Sequence, residues 1–95
     1  MKFSKEAELI IIGYLYEQPE RLFKAHELCN YCYGRLTTHQ IGHIVGGLVR
    51  KGFVNRVSVV ESGSQVRYCA VETILENPNG NEARALSMYL SNLYT

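Results

Sequence analysis

Apolar residues recur at helical spacing in four stretches of the chain and crowd together at strand density in a fifth. In the first stretch Ala7, Ile10, Ile11, Tyr14 and Leu15 stand at i, i+3, i+4, i+7 and i+8. That spacing predicts a helix from about Lys5 to Glu17, capped by Ser4 and ended before Pro19. Ala25, Leu28, Cys29 and Cys32 predict a second helix over about 24–33, closed by Gly34, a residue that accepts the left-handed backbone common after a helix end. Ile41, Ile44, Val45 and Leu48 predict a third over 38–51, with Thr37 or Thr38 as N-cap and Gly52 as the stop. At about 100° per residue, His39, His43, Gly46 and Arg50 then share the face opposite the core stripe.

The run Phe53 to Val60 is rich in β-branched residues, breaks at Glu61-Ser62-Gly63-Ser64-Gln65, and resumes as Val66 to Val71. Two such runs around a polar, glycine-containing break predict an antiparallel hairpin. Glu72 to Glu76 leads into Asn77-Pro78-Asn79-Gly80-Asn81, a dense cluster of turn residues that ends whatever precedes it. Beyond it Leu86, Tyr89, Leu90 and Leu93 form one stripe, extended by Tyr94, which predicts a last helix over 81–94 capped by Asn81.

Helix, short turn, helix, a Lys-Gly-Phe-Val junction and a strand–tip–strand hairpin, in that order over residues 7–71, resemble the winged helix-turn-helix proteins. The resemblance rests on element order and apolar spacing. It implies an α+β fold with three core helices and a two-stranded wing, to which this chain adds a C-terminal helix. It also implies that Arg21-Leu22-Phe23 forms a brief strand beside the wing, and that Cys29 is the small residue where the second and third helices cross.

The 95 residues predict a single domain covering 1–95, with 5–71 as helix-turn-helix and wing. Apolar residues make up 46% and charged residues 20%, values ordinary for a globular protein. The N-terminal Met-Lys-Phe-Ser-Lys-Glu lacks the features of a signal peptide, and no apolar run approaches the length of a membrane span. A cytoplasmic location and free thiols are therefore expected for the three cysteines. The formal charge is only +1, but its distribution is uneven. Between Arg35 and Val71, Arg35, Arg50, Lys51, Arg56 and Arg67 stand against Glu61 alone, whereas the remainder carries five basic and eight acidic residues. Basic charge is thus gathered on the third helix and the hairpin, as on a surface that meets a polyanion.

Three constellations invite chemistry. His26-x-x-Cys29-x-x-Cys32 has zinc or iron–sulfur ligand types, but both cysteines coincide with the core stripe, and packing is the favoured reading. His39-x-x-x-His43 has the spacing of a helical metal pair without the glutamate of the metalloprotease motif, and contact with nucleic acid is favoured. Gly42, Gly46 and Gly47 each cost about 1 kcal/mol against Ala inside a helix, so either tight packing in the fold or close approach of a partner should compensate. Among the tyrosines, Tyr16 and Tyr33 are candidates for exposed contact, and Cys69 is expected to be the most reactive thiol. No triad, carboxylate pair or phosphate loop stands out, so no enzymatic activity and no cofactor are expected.

The resemblance implies sequence-specific binding of double-stranded DNA by a small transcription regulator, like the compact regulators of bacterial fimbrial operons, plasmids, phages and archaeal viruses. Helix 38–51 would enter the major groove with Thr38, His39, Gln40, His43 and Arg50 facing the duplex, Gln40 reading adenine and Arg50 reading guanine or holding a phosphate. Arg56, Arg67 and the tip residues Ser62, Ser64 and Gln65 of the wing (53–71) would grip the backbone or minor groove. A homodimer through residues 81–94 is expected, with no membrane and no small-molecule partner. Two alternatives remain at this level: a winged-helix module for protein–protein contact, and a metal- or redox-responsive switch built on Cys29 and Cys32.

Overall fold

The computed structural model describes residues 4–60 and 64–94, with the backbone alone at Ser64 and Tyr94. The element order is α1 (Ser4–Glu17), α2 (Ala25–Tyr31), α3 (Thr38–Arg50), β1 (Val54–Val60), β2 (Ser64–Ala70), α4 (Glu72–Glu76) and α5 (Asn81–Tyr94). The architecture is α+β, a helix-turn-helix core with a two-stranded antiparallel wing and an added C-terminal helix. One core holds it together: Ala7, Ile11 and Leu15 of α1, Leu28 of α2 and Ile41, Val45 and Leu48 of α3 are fully excluded from solvent, with Phe23 and Cys32 between them. These are positions that the 3.6-residue period places on one side of each helix. Ile10 and Tyr14 are half-buried beside them, and the Tyr14 ring stacks on Tyr31 at 4.0 Å.

Helices α2 and α3 stop by the same device. In α2, Tyr33 N–H donates to Asn30 and Gly34 N–H to Cys29; in α3, Gly52 N–H donates to Val49 and Phe53 N–H to Leu48. Both are paired 5→2 and 6→1 closures, which satisfy carbonyls that the helix end would otherwise orphan. In α3 the left-handed residue is Gly52, at φ +85°. In α2 it is Tyr33, at φ +59°, followed by Gly34 at +66°. Helix α2 is therefore shorter than the predicted 24–33, because a left-handed tyrosine ends it before the glycine does.

Strands β1 and β2 pair from Val54↔Ala70 to Val60↔Ser64. Phe23 and Tyr68 exchange both backbone hydrogen bonds at 2.8 Å, forming the brief third strand that the winged-helix resemblance implied. The Tyr16 hydroxyl ties α1 to the base of the wing, donating to the Phe53 carbonyl at 2.7 Å and accepting from Val71 N–H at 3.3 Å. Tyr16 is thus a structural strut rather than an exposed contact. The hairpin tip Glu61, Ser62 and Gly63 lies outside the described residues.

Two features depart from the sequence reading at the C-terminal end. Residues 72–76 form α4, a turn and a half whose sole buried residue, Ile74, is too little to register as a periodic pattern. The carbonyl that accepts the first bond of α5 belongs to Gly80, so Asn81 is the first helical residue and not the cap. Leu86 is buried against the body of the same chain, Tyr89 packs its ring 5.1 Å from Phe53, and Leu90 is half-buried beside them. The Tyr89 hydroxyl donates to Glu8 of α1 at 2.6 Å. Most of the apolar stripe of α5 is therefore covered by its own chain. Among the described residues no helix is long and apolar enough to cross a membrane.

Candidate nucleic-acid interface

Helix α3 is presented by a capping box: Gln40 N–H donates to Thr37 Oγ1 at 3.1 Å, and Thr37 N–H donates to Gln40 Oε1 at 2.9 Å. Thr37, rather than Thr38, is the cap, and Gln40 supplies the return bond. The bidentate adenine contact expected of Gln40 would draw on the same Oε1 that already accepts from Thr37. Thr38, His39, His43 and Arg50 are exposed, with the core stripe on the far side of the helix. The imidazoles of His39 and His43 lie one turn apart, nearly parallel, with centroids 6.2 Å apart.

The three glycines of α3 have no packing reason inside the fold. A Cβ at Gly42 would meet nothing within 4 Å. At Gly46 and Gly47 it would meet only side-chain ends, the Arg50 guanidinium at 3.7 and 3.8 Å and Lys51 Nζ at 4.0 Å from Gly47. These are ordinary van der Waals distances, so alanine fits at all three positions. The bare backbone instead flanks the His39, His43 and Arg50 face, and Arg50 lies back along it. Of the two explanations open in the sequence, tight internal packing is ruled out by these distances.

The wing divides its two arginines. Side chains alternate across a ribbon, and partners share a face, so Val54, Arg56, Ser58 and Val60 lie with Ala70, Tyr68 and Val66, while Asn55, Val57 and Val59 lie with Cys69, Arg67 and Gln65. Arg56 is exposed on the first face. Arg67 is on the second, half-buried, with its guanidinium donating to Gln65 Oε1 at 2.6 Å and to the Val66 carbonyl at 3.3 Å. The two cannot both face one flat surface, a division that element order alone did not reveal.

The cysteines behave as packing residues. Cys32 is fully buried, and burial pushes its thiol above the usual value. Cys29 is half-buried on α2, where its Sγ–H donates to the Leu36 carbonyl at 2.7 Å. His26 is exposed on α2. Among the described residues no group of three or more His, Cys, Asp or Glu side chains is placed to hold a metal ion. Cys69 is also buried, and its thiol is pushed up by that burial against the lowering effect of a hydrogen bond with Asn55. It is therefore not the reactive thiol expected from its strand position. Tyr33 is 78% exposed in the turn that precedes α3, and its left-handed backbone carried no signal in the sequence because only glycine and asparagine announce that conformation.

No protein-family model matches the chain, and a search of curated proteins found no match. Among solved structures the fold is similar to one described as "Possible transcriptional regulator from Methanosarcina mazei Go1", with a TM-score of 0.61. Identity to it is 15%, and the match covers 96% of this chain and 79% of that one. At that identity the likeness establishes the architecture alone.

Proposed function

We propose that this protein binds double-stranded DNA sequence-specifically and acts as a transcription regulator. Helix α3 enters the major groove with Thr38, His39, His43 and Arg50 toward the bases and phosphates, and the wing lies on the backbone or minor groove with Arg56 or Arg67. The observation that carries this reading is the outward face of α3. It has three exposed donor side chains around glycines that the fold itself does not require, which lets the helix backbone come close to a partner. The fold shared with the structure described as a "Possible transcriptional regulator" supports the same reading. Gln40 contributes chiefly by fixing the helix N-terminus.

Pairing of two copies is part of the proposal, because one recognition helix reads few base pairs and two-fold sites are read by two-fold proteins. At the C-terminal end the surface left for a twin is the groove of Leu9, Ile12, Gly13, Leu86 and Leu90 between α1 and α5, together with Met88, 68% exposed.

The test is fluorescence anisotropy with duplex DNA at low salt. Arg50→Ala is expected to cost about 1–3 kcal/mol of affinity for the preferred sequence while leaving folding stability within about 0.5 kcal/mol. Unchanged affinity would remove α3 from the interface. No duplex binding by the unaltered protein would favour the protein–protein module.

A further inference from the structure

The wing has an open edge whose hydrogen-bonding pattern can be worked out residue by residue. Tyr68 spends both its N–H and its C=O on Phe23, on the side of β2 away from β1. The Arg56–Tyr68 pair is consequently a non-hydrogen-bonded pair of the β1–β2 ladder. Alternation then makes Asn55–Cys69, Val57–Arg67 and Val59–Gln65 the hydrogen-bonded pairs. It also turns the N–H and C=O of Arg56, Ser58 and Val60 outward, away from β2. No other element adds a backbone bond to β1 among the described residues.

Edges of this kind are usually blunted by charge, proline or a bulge. In β1, Val-Asn-Arg-Val-Ser-Val-Val, the sole charge is Arg56, there is no proline, and Val60 is 79% exposed. We propose that this edge pairs antiparallel with β1 of a second copy of the chain, about a two-fold axis at Ser58.

The register of β1 is what selects a second copy. About an axis at Ser58, Arg56 stands opposite the partner's Val60, Ser58 opposite the partner's Ser58, and Val60 opposite the partner's Arg56. Val54 follows the same alternation but is 2% exposed, so the three exposed outward-pointing residues of one copy meet all three of the other, giving six backbone hydrogen bonds. Val57 and Val59 fall opposite the partner's Val59 and Val57, on the face they share with Arg67. β-branched pairs of this kind are favourable cross-strand neighbours. The two arginines lie four residues apart along the joined strands, about 13 Å, so like charges are not opposed. The result is a continuous four-stranded sheet, extended at each end by the Phe23 bridge. A strand-on-strand contact buries less than about 1,000 Å², so pairing is weak and concentration-dependent. This inference stands without the DNA-binding reading, since it rests on the edge alone.

Sedimentation velocity of the full chain from about 10 µM to about 1 mM measures it. The unaltered protein is expected to show a monomer–dimer equilibrium. Ser58→Lys puts two ammonium groups face to face on the axis, though in a single copy it merely changes an exposed residue. It should weaken pairing about fivefold or more with the melting temperature unchanged. Ser58→Thr, with its β-branched side chain, should pair at least as well as the unaltered protein. Because Cα atoms in a hydrogen-bonded pair are about 5.5 Å apart, within disulfide reach, Ser58→Cys should yield a cross-linked dimer on oxidation. The Ser58→Lys and Ser58→Cys variants are both read in a Met88→Glu background, which places a charge beside the α1–α5 groove at an exposed position and leaves β1 as the contact under test. A monomer across the whole range would overturn the proposal. So would a dimer indifferent to Ser58→Lys in that background, or one that Ser58→Cys does not cross-link.

Discussion

Gly42→Ala and Gly46→Ala, made together, should stabilise the protein and weaken its hold on DNA. Both positions are in the interior of α3, where glycine costs about 0.8–1 kcal/mol relative to alanine. That gain is undiminished when the new Cβ has room. At Gly42 nothing lies within 4 Å, and at Gly46 the nearest atom is Arg50 Nη1 at 3.7 Å, the end of a flexible side chain. The pair should therefore add about 1.5–2 kcal/mol, or about 6–15 °C in melting temperature for a domain of this size. On the binding side, two methyl groups now stand between the helix backbone and the duplex. If they hold His39, His43 and Arg50 beyond hydrogen-bond reach, the loss is about 1–3 kcal/mol, the size of one bidentate base contact.

Thermal unfolding followed by circular dichroism and anisotropy titration of the same preparations give the two numbers. Gly13→Ala is the control: its Cβ also meets nothing within 4 Å, but it belongs to α1. It should stabilise to a similar degree, which calibrates the glycine-to-alanine gain in a helix away from the α3 face. Stabilisation by the α3 pair with undiminished affinity would refute close approach at this face. Destabilisation would refute the packing argument itself.

Because Arg56 and Arg67 are on opposite faces of the wing, Arg→Ala at one of them should weaken all DNA sequences alike and flatten the salt dependence of binding by about one charge. The other should have little effect, and equal effects from both would contradict the interface. Tyr16→Phe leaves the Phe53 carbonyl and Val71 N–H without their shared partner, and should cost about 1–3 kcal/mol in urea unfolding. A cost below about 0.5 kcal/mol would show that the strut carries nothing. Burial, reinforced by its bond to the Glu8 carboxylate, holds the Tyr89 hydroxyl up to about 12, above its ordinary value of 10.0. Since the folded value is the higher one, this stabilisation is complete below about pH 10 and is lost as pH rises through about 12. Melting temperatures of the unaltered protein and Tyr89→Phe should converge over that window, and parallel curves would count against it.

What the sequence revealed follows from what hydrophobic spacing measures. Ala7–Ile11–Leu15 and Ile41–Val45–Leu48 announce their helices because a stripe at 3.6-residue period records which side is buried. β1 and β2 announce themselves by β-branched density and a glycine-bearing break. Helix α4 did not, since five residues with one buried isoleucine make no period. The end of α2 was misread because the left-handed residue is a tyrosine, which side-chain identity does not disclose. The stripe of α5 was legible, but a stripe says only that a face is covered. Phe53 and α1 of the same chain cover most of it, a long-range pairing that no local pattern encodes.

The same distinction separates the residues that face outward on α3 and the wing from those with bonding capacity to spare. Helix face, basic charge and the winged-helix resemblance together selected Thr38, His39, Gln40, His43, Arg50, Arg56 and Arg67. Local geometry then draws on some of them: Gln40 Oε1 holds Thr37 N–H, and the Arg67 guanidinium holds Gln65 and the Val66 carbonyl. Each of those bonds must be broken or shared before the side chain can read a base, and an exchange of equal hydrogen bonds yields little net discrimination. His39, His43 and Arg50 carry no such bond among the described residues, and they surround the bare stretch of backbone at Gly42, Gly46 and Gly47. On the DNA-binding reading, direct base readout therefore concentrates on these three donors, and the acceptor-rich major-groove edge of guanine, with O6 and N7 side by side, is the edge they fit best. A binding-site selection that returned adenine-rich positions opposite α3, dependent on Gln40, would reverse that order and make the capping glutamine the reader.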